Sequence, residues 1–434
     1  MSAKIALNLL GQRRYLPLLV AQTLGAFNDN FFRYALITLV TYASLSVFDL
    51  DRDLMNPIAA SAFTIPIFLF SAIAGRVADK FDRTRILRFT KFAEIWLMVL
   101  AAAGFIFEQP LLLLITLFFM GMQSAFFAPA KNSALPTLLT PRELVPGNAM
   151  ISGSLNMAVL IGIGLGGLLI EGPQGTLIVG AVLIGVAITG WLSMRALSPA
   201  PAENPDMPIS FNFVAETYRV LKFAFKHPPV LRPLLGVAWF WMLAAAIVFS
   251  ALPSFATSIL GADNTVLTML MALFTVGSAV GALLCGALSG DGESLPLSIA
   301  GAIGLLIFPA DIALHTWGRP IIEDETLLIG VAAFVSDSGN WRVLFDFLMS
   351  AVSAGLFVVP LQAMAQRRAP ADIRGRLMAA GGIMNAAAAT LGQFALVGIV
   401  LLGLQVQAAF LLVAAVSGLA AIYIFHRWRK ARPA

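Results

Sequence analysis

Blocks of about 20 apolar residues, the length that carries an α-helix through a hydrocarbon layer, recur almost end to end along this chain. Twelve can be marked: 16–45, 56–75, 88–107, 110–129, 147–170, 175–195, 230–256, 264–288, 295–314, 342–366, 377–402 and 405–426. The first and seventh are long enough to tilt or to carry an extramembrane turn. A bilayer core holds no water, so every backbone N–H and C=O must be satisfied within the protein. Only helices and closed barrels achieve this. Runs this long and unbroken lack the alternation of barrel strands. The predicted fold class is therefore all-α integral membrane, with twelve transmembrane helices. Composition agrees, because only 12% of the residues are charged, against about 25% in a soluble domain.

Charge gives an orientation. With both termini placed in the cytoplasm, of the 28 lysines and arginines only Arg33, Arg52, Arg319 and Arg342 fall elsewhere. The rest sit in the N-terminus, the loop and helix ends at 76–91, the 131–142 loop, residues 195–232, the 367–376 loop and the tail. This is a positive-inside bias. The opposite loops are acidic, with Asp49, Asp51 and Asp53, then Glu323, Asp324 and Glu325. The excess of base thus reports contact with an anionic inner leaflet and gives no reason to expect nucleic acid. The single cysteine, Cys285, allows no internal disulfide. The first block is too long for a cleavable signal and is expected to remain as the first helix.

The longest polar stretch, 196–229, divides the helices six and six. This predicts an N-terminal half at 1–195, a cytoplasmic linker at 196–229 and a C-terminal half at 230–434. The linker is proline-rich at first, then amphipathic from Phe211 to Lys226, which reads as a helix on the inner leaflet. Residues 315–341 form a long outer connection. Its apolar run, 327–335, is too short to span and reads as an outer-surface or re-entrant flap.

Soluble-enzyme chemistry is missing from the sequence. There is no GxxxxGK[ST] phosphate loop and no GxSxG. His227, His315 and His426 are far apart, and no metal cluster has workable spacing. No enzymatic activity, cofactor or metal is expected.

Two polar motifs interrupt this pattern. GRVADKFDRTR, residues 75–85, lies between the second and third blocks. It resembles the signature loop of the major facilitator superfamily through Gly75, Asp79, Lys80, Arg83 and Arg85, with Asp82 where the family usually has glycine. Asp79 could pair with a base or a helix N-terminus of the same half and so lock an inner gate. A plain charged loop obeying the positive-inside rule is the alternative. GAFNDNFFR, residues 25–33, lies inside the first block. Asp29 and Arg33 are four apart and share a helix face. Intramembrane charges cost about 2.5–3.5 kcal/mol on insertion scales and commonly mark a site. With Asn28 and Asn30 they form either a self-neutralising packing pair or a cavity-facing site.

RRYLPLLVAQTLGAFNDNFFR, FFAPAKNSALPTLLTPRELVPGNA (126–149) and GLFVVPLQAMAQRRAPADIRGRLMAAGGIMN (355–385) together resemble the bacterial lysophospholipid transporter branch of that superfamily. The similarity runs from about 13 to 425. It is close to the form fused elsewhere to acyltransferase and acyl-ACP synthetase domains, of which only the transporter portion is expected here. The resemblance implies a flippase in the bacterial inner membrane. It would move lysophospholipids such as lysophosphatidylethanolamine from the outer to the inner leaflet, where a separate acyltransferase would reacylate them. It also implies two six-helix halves and a headgroup site at Asp29. Some members have an arginine in helix seven, where this chain reads FWMLAAAIVFSALP. Arg33 is the expected substitute.

Gly153, Gly162, Gly164, Gly166 and Gly167 in the fifth block, and Gly277, Gly281 and Gly286 in the eighth, predict close helix packing. Separable contacts of this kind would also serve a gate. Polar groups stand at Gln22, Gln123, Asn156, Gln362, Asn385 and Gln393. Because helices one, four, seven and ten line the cavity in this superfamily, Gln123 and Gln362 are the expected ligands among them. Lys131 could attract a lipid phosphate or simply snorkel. The expected mechanism is alternating access by a monomer, with the substrate arriving laterally from the lipid. A proton- or sodium-coupled transporter of another solute and a non-transporting scaffold for a reacylating enzyme are the rivals.

Overall fold

The computed structural model describes residues 8–43, 45–47, 50–202, 205–206, 212–288, 295–322, 327–370 and 373–431. Asp49, Phe211, Glu323, Asp324 and Glu325 lie outside the described residues. In chain order the helices are α1 (Leu16–Tyr42), α2 (Arg52–Lys80), α3 (Arg83–Ile106), α4 (Pro110–Leu138), α5 (Pro141–Ile170), α6 (Gly175–Arg195) and α7 (Phe213–Phe225). There follow α8 (Pro228–Ala246), α9 (Asn264–Leu288), α10 (Leu295–Thr316), the short α11 (Val331–Ser336), α12 (Trp341–Arg368), α13 (Arg374–Leu401) and α14 (Gln407–Ala431).

Eleven helices among the described residues are long and apolar enough to cross a membrane. The remaining long helix, α1, has 27 residues and is less apolar because Asn28, Asp29, Asn30 and Arg33 interrupt it. Local chemistry sets the ends. Proline stands in the first turn of α1, α4, α5 and α8, where its missing N–H breaks no helical bond. Thr140 and Glu143 form a reciprocal capping box on α5, and Arg14 grips the Glu143 carboxylate at 2.8 Å.

Two boundaries differ from expectation. The helix expected to stop near 129 runs on to Leu138, so Lys131 is a helix-interior residue and not part of a loop. The stretch after α8 continues through two π-helical turns, Ile247–Ala251 and Phe255–Ile259. They flank Pro253, which has no N–H to offer a regular ladder.

The chain divides into two compact units: Met1–Phe48 with Ala62–Arg219, and Asp49–Ser61 with Val220–Ala434. The division falls within α7, so the linker helix is not a separate body. In the first unit α1 packs on α5 and α6, and α3 packs on α4 and α6. In the second α8 packs on α13 and α12, and α10 packs on α12 and α14. The outer connection is tied down in the second unit. Ala262 and Ile329 form a parallel bridge, and the Val331 amide donates to the Thr265 hydroxyl at 3.0 Å. Its helix α11 has six residues, too few to span.

Glycine places the contacts, and the two units use it alike. A Cβ on Gly162 or Gly166 of α5 would strike the backbone of α1 at Phe27 and Phe31. A Cβ on Gly392 of α13 would strike the backbone of α8 at Met242. Likewise Gly121 of α4 abuts the Phe63 carbonyl of α2, and Gly355 of α12 abuts the Ser278 carbonyl of α9. In lipid, where apolar burial gives little drive, such backbone-to-backbone approach supplies the packing. Gly153 has open space around it. Gly166→Val and Gly392→Val should each destabilise by roughly 1–3 kcal/mol through overpacking. Gly153→Ala should be neutral or slightly stabilising. Thermal unfolding of the detergent-solubilised protein reads the difference, and equal losses at all three positions would contradict the packing account.

Candidate functional site

Close packing of α1 against α5 and α6 fixes which side chains of α1 remain for other work. Asn28 is fully buried and its amide donates to the Leu183 carbonyl of α6 at 3.1 Å. Asn30 donates to the Ala26 carbonyl of its own helix at 2.8 Å, and its Cβ lies 3.2 Å from where a Gly162 side chain would begin. Both asparagines thus take part in helix contacts, the packing alternative for this motif.

Asp29 turns the other way. Ser124 of α4 donates to its carboxylate at 3.4 Å. The neighbouring residue, Gln123, donates to Glu94 of α3 at 3.2 Å and to the Thr90 carbonyl at 3.3 Å. Glu94 in turn accepts from the Lys91 ammonium at 2.6 Å, and both ends of this ion pair are buried. Lys91 also stands 5.0 Å from the centre of the Phe127 ring. Its side chain runs beside glycines of two helices. A Cβ on Gly25 of α1 would collide with the ammonium, and one on Gly190 of α6 would touch the Lys91 stem at 3.9 Å. Arg33, one turn beyond Asp29, lies 4.9 Å above the Phe63 ring of α2.

The first unit thus holds Asp29, Arg33, Lys91 and Glu94, formally two anions and two cations, with Gln123 and Ser124 between them. Lys91 and Glu94 were not among the expected site residues. Lys91 was counted with the loop and helix ends at 76–91, as part of the cytoplasmic charge. Their signal was in the sequence: TKFAEIW puts a base and an acid three apart at the start of an apolar helix, on one face. Lys131 follows Ser124 by seven residues, so it lies on the same side of α4 two turns away, and it is half-buried. Gln362 belongs to α12 of the second unit and is exposed.

The 75–85 motif is mostly helix, with only Phe81 and Asp82 between α2 and α3. Asp82 accepts from the Arg85 amide at 2.9 Å and caps α3. Its φ of −55° makes no demand for glycine, which explains how aspartate is accommodated. Arg83 is buried, its amide donating to the Ala200 carbonyl at 2.9 Å. Thr84 donates to the Ser198 carbonyl at 2.9 Å. Arg88 donates to the carbonyls of Arg195 and Leu197 at 3.0 and 2.9 Å. Gly75, Asp79 and Lys80 lie in the last turns of α2, half-buried, and Arg85 is exposed. Arg76, between them, holds the buried Glu216 of α7 at 2.8 Å.

Known proteins share this sequence and fold. A family model described as Major Facilitator Superfamily matches residues 18–320. The lysophospholipid transporter LplT of Serratia proteamaculans (strain 568) is 25% identical over 365 residues, covering 82% of this chain and 80% of that protein. LplT of Escherichia coli O1:K1 / APEC is 27% identical over 356 residues, covering 81% and 79%. Among solved structures, the nucleoside transporter NupG superposes with a TM-score of 0.67 at 14% identity, covering 94% of this chain and 99% of that one. A peptide transporter POT in complex with sulfate gives 0.68 at 13% identity, covering 99% and 98%.

The ion pair makes a direct test of the cluster. Lys91→Met leaves Glu94 buried without its cation and should cost roughly 3–5 kcal/mol. Adding Glu94→Gln should restore most of that loss. A double-mutant cycle on unfolding midpoints measures it, and simple additivity would show that the two groups do not act together.

Proposed function

The chain belongs to the Major Facilitator Superfamily, and on that premise we propose that it is a lysophospholipid transporter that carries its substrate between the leaflets of the bacterial inner membrane. The observation that carries this reading is the balanced charge of the buried cluster. A zwitterionic phosphoethanolamine headgroup has one anion and one cation. Arg33 and Lys91 offer cations to its phosphate, and Asp29 and Glu94 offer anions to its ammonium. Uptake then exchanges ion pairs within the site without leaving a net charge in a low-dielectric interior. Gln123 and Ser124 supply hydrogen bonds that hold the carboxylates during the exchange, and Lys131, two turns along α4 and outside the balanced cluster, attracts the phosphate on its way to it. The 25–27% identity to LplT proteins over most of both chains supports the same substrate class.

The protein acts as a transporter and not as an enzyme. Alternating access of a monomer moves the headgroup, while the acyl chain stays in contact with lipid, so the substrate reaches the site laterally. Both termini face the cytoplasm, in keeping with the positive-inside bias. A separate acyltransferase there consumes the lysophospholipid. The 75–85 motif takes part in gating, with Gly75, Asp79, Lys80, Arg83 and Arg85 as its residues and Gln362 as the contribution of α12 to the pathway.

Proteoliposomes loaded with fluorescent lysophosphatidylethanolamine in one leaflet test the reading. Leaflet exchange should be accelerated by the protein, with or without proton and sodium gradients. Asp29→Asn, Arg33→Ala and Lys91→Met/Glu94→Gln should each lower the rate at least about tenfold, the effect of losing one charge-assisted contact in a buried site. Exchange that appears only with an ion gradient would favour a coupled transporter. A folded protein that moves no lysolipid at all would leave the scaffold reading standing.

A further inference from the structure

The second unit contains a separate groove of about 470 Å³. It lies among the start of α8, the first turn of α10, the last turns of α12 and the last turns of α14. The ends of α8, α12 and α14 are those from which the lysine- and arginine-rich segments emerge, the cytoplasmic end in the orientation proposed above. Its walls are apolar, with Leu235, Phe357 and Leu361 among them. Its rim carries Arg232, Arg368 and Arg427, and among the described residues that line it none is acidic. Trp239, a wall residue, has a buried indole N–H with no acceptor among the described residues. Gly236 on α8 keeps the wall open, since a Cβ there would press on Leu361. Leu235, Leu419 and Tyr423 are exposed at its margin, so the groove is continuous with the outer surface of the helices.

We infer that this groove binds one anionic phospholipid of the cytoplasmic leaflet, with its phosphate among the three arginines and an acyl chain against the apolar wall. Basic pockets between helix ends on the cytoplasmic side are suited to such headgroups, and guanidinium groups bind phosphate through paired hydrogen bonds. The described rim offers cations without carboxylates, and this decides the class of lipid. The cluster around Asp29 and Glu94 can satisfy an ammonium, whereas this rim cannot. A zwitterionic headgroup would leave its cation beside three arginines, so the site selects an anionic one. Tyr423 adds a hydroxyl donor at the margin. The site does not depend on the transport reading, because it is built wholly from the second unit and is read out by binding.

Native mass spectrometry of the full chain, released from detergent, tests it with four probes: phosphatidylglycerol, phosphatidylethanolamine, lysophosphatidylethanolamine and inorganic phosphate. Phosphatidylglycerol should remain bound at an occupancy at least about tenfold above either ethanolamine lipid, as expected for losing charge-assisted hydrogen bonds. Inorganic phosphate alone should not be retained, because it leaves the apolar wall empty. Arg232→Gln/Arg368→Gln/Arg427→Gln should abolish the preference. Because Arg368 also donates to the Pro229 carbonyl at 3.4 Å, Arg232→Gln/Arg427→Gln, changing two exposed side chains, guards against misfolding and should lower it several-fold. Ala420→Trp should block the lipid without changing charge. Equal retention of phosphatidylglycerol and phosphatidylethanolamine, an unchanged preference in the double arginine variant, or equal retention of inorganic phosphate would each overturn the proposal.

Discussion

The first unit is organised around one charge that has to be buried. Lys91 sits two turns into α3, and its ammonium reaches the crossing of α1, α3, α4 and α6. Each helix gives way to it in a different manner. α1 and α6 present Gly25 and Gly190, α3 supplies its own counter-ion Glu94, and α4 supplies the Phe127 ring and the Gln123 amide. A buried ion pair is poor evidence of stability in itself, since desolvation offsets the attraction. What it gives is registry: few alignments of four helices would place both charges together and still admit the lysine stem. Asp29 and Arg33 are then held beside this pair by the glycine-lined contact between α1 and α5, which fixes the rotation of α1 about its axis.

The loop motif acquires a physical meaning from the same unit. Carbonyls at the C-terminal end of α6 have no partner within the helix. Arg88, Thr84 and the backbone of Arg83 provide one for the segment from 195 to 200. Arg76 then reaches forward to Glu216 on the linker helix. The basic residues are thus more than a cytoplasmic charge count. They fasten the chain leaving the sixth spanning helix to the turn between the second and third. An ion pair half-buried at Arg76 thus ties the end of α2 to the start of α7.

Much of the fold was legible because a bilayer leaves so few choices. Apolar length alone located eleven of the long helices, and proline and capping residues explain where α1, α3, α4, α5 and α8 begin. The helix expected to end near 129 runs on to Leu138, with Pro129 and Pro136 both inside α4. In a membrane helix, neighbouring segments can satisfy the carbonyls that proline frees. The site was legible only in part. Asp29, Arg33 and Gln123 announce themselves as polar residues in apolar blocks. Asn28 and Asn30 do so equally, but face neighbouring helices, and sequence spacing alone cannot tell the two faces of an all-apolar helix apart. Lys91 and Glu94 lay near a block's edge, where a lysine ordinarily reaches water. Only the neighbouring helices show that it does not.

The two polar regions of the molecule differ in a way that bears on what each can hold. The cluster in the first unit has carboxylates and cations in equal number, so a ligand of net charge would leave one of them unmatched in a medium where that is costly. A zwitterion can exchange partners with it stepwise, giving up no more than one pair at a time. This is the requirement for a transported headgroup, which must leave as readily as it binds. The groove of the second unit has the opposite character. Three arginines without an acid bind an anion strongly and have nothing with which to displace it. Such a site suits a lipid that stays.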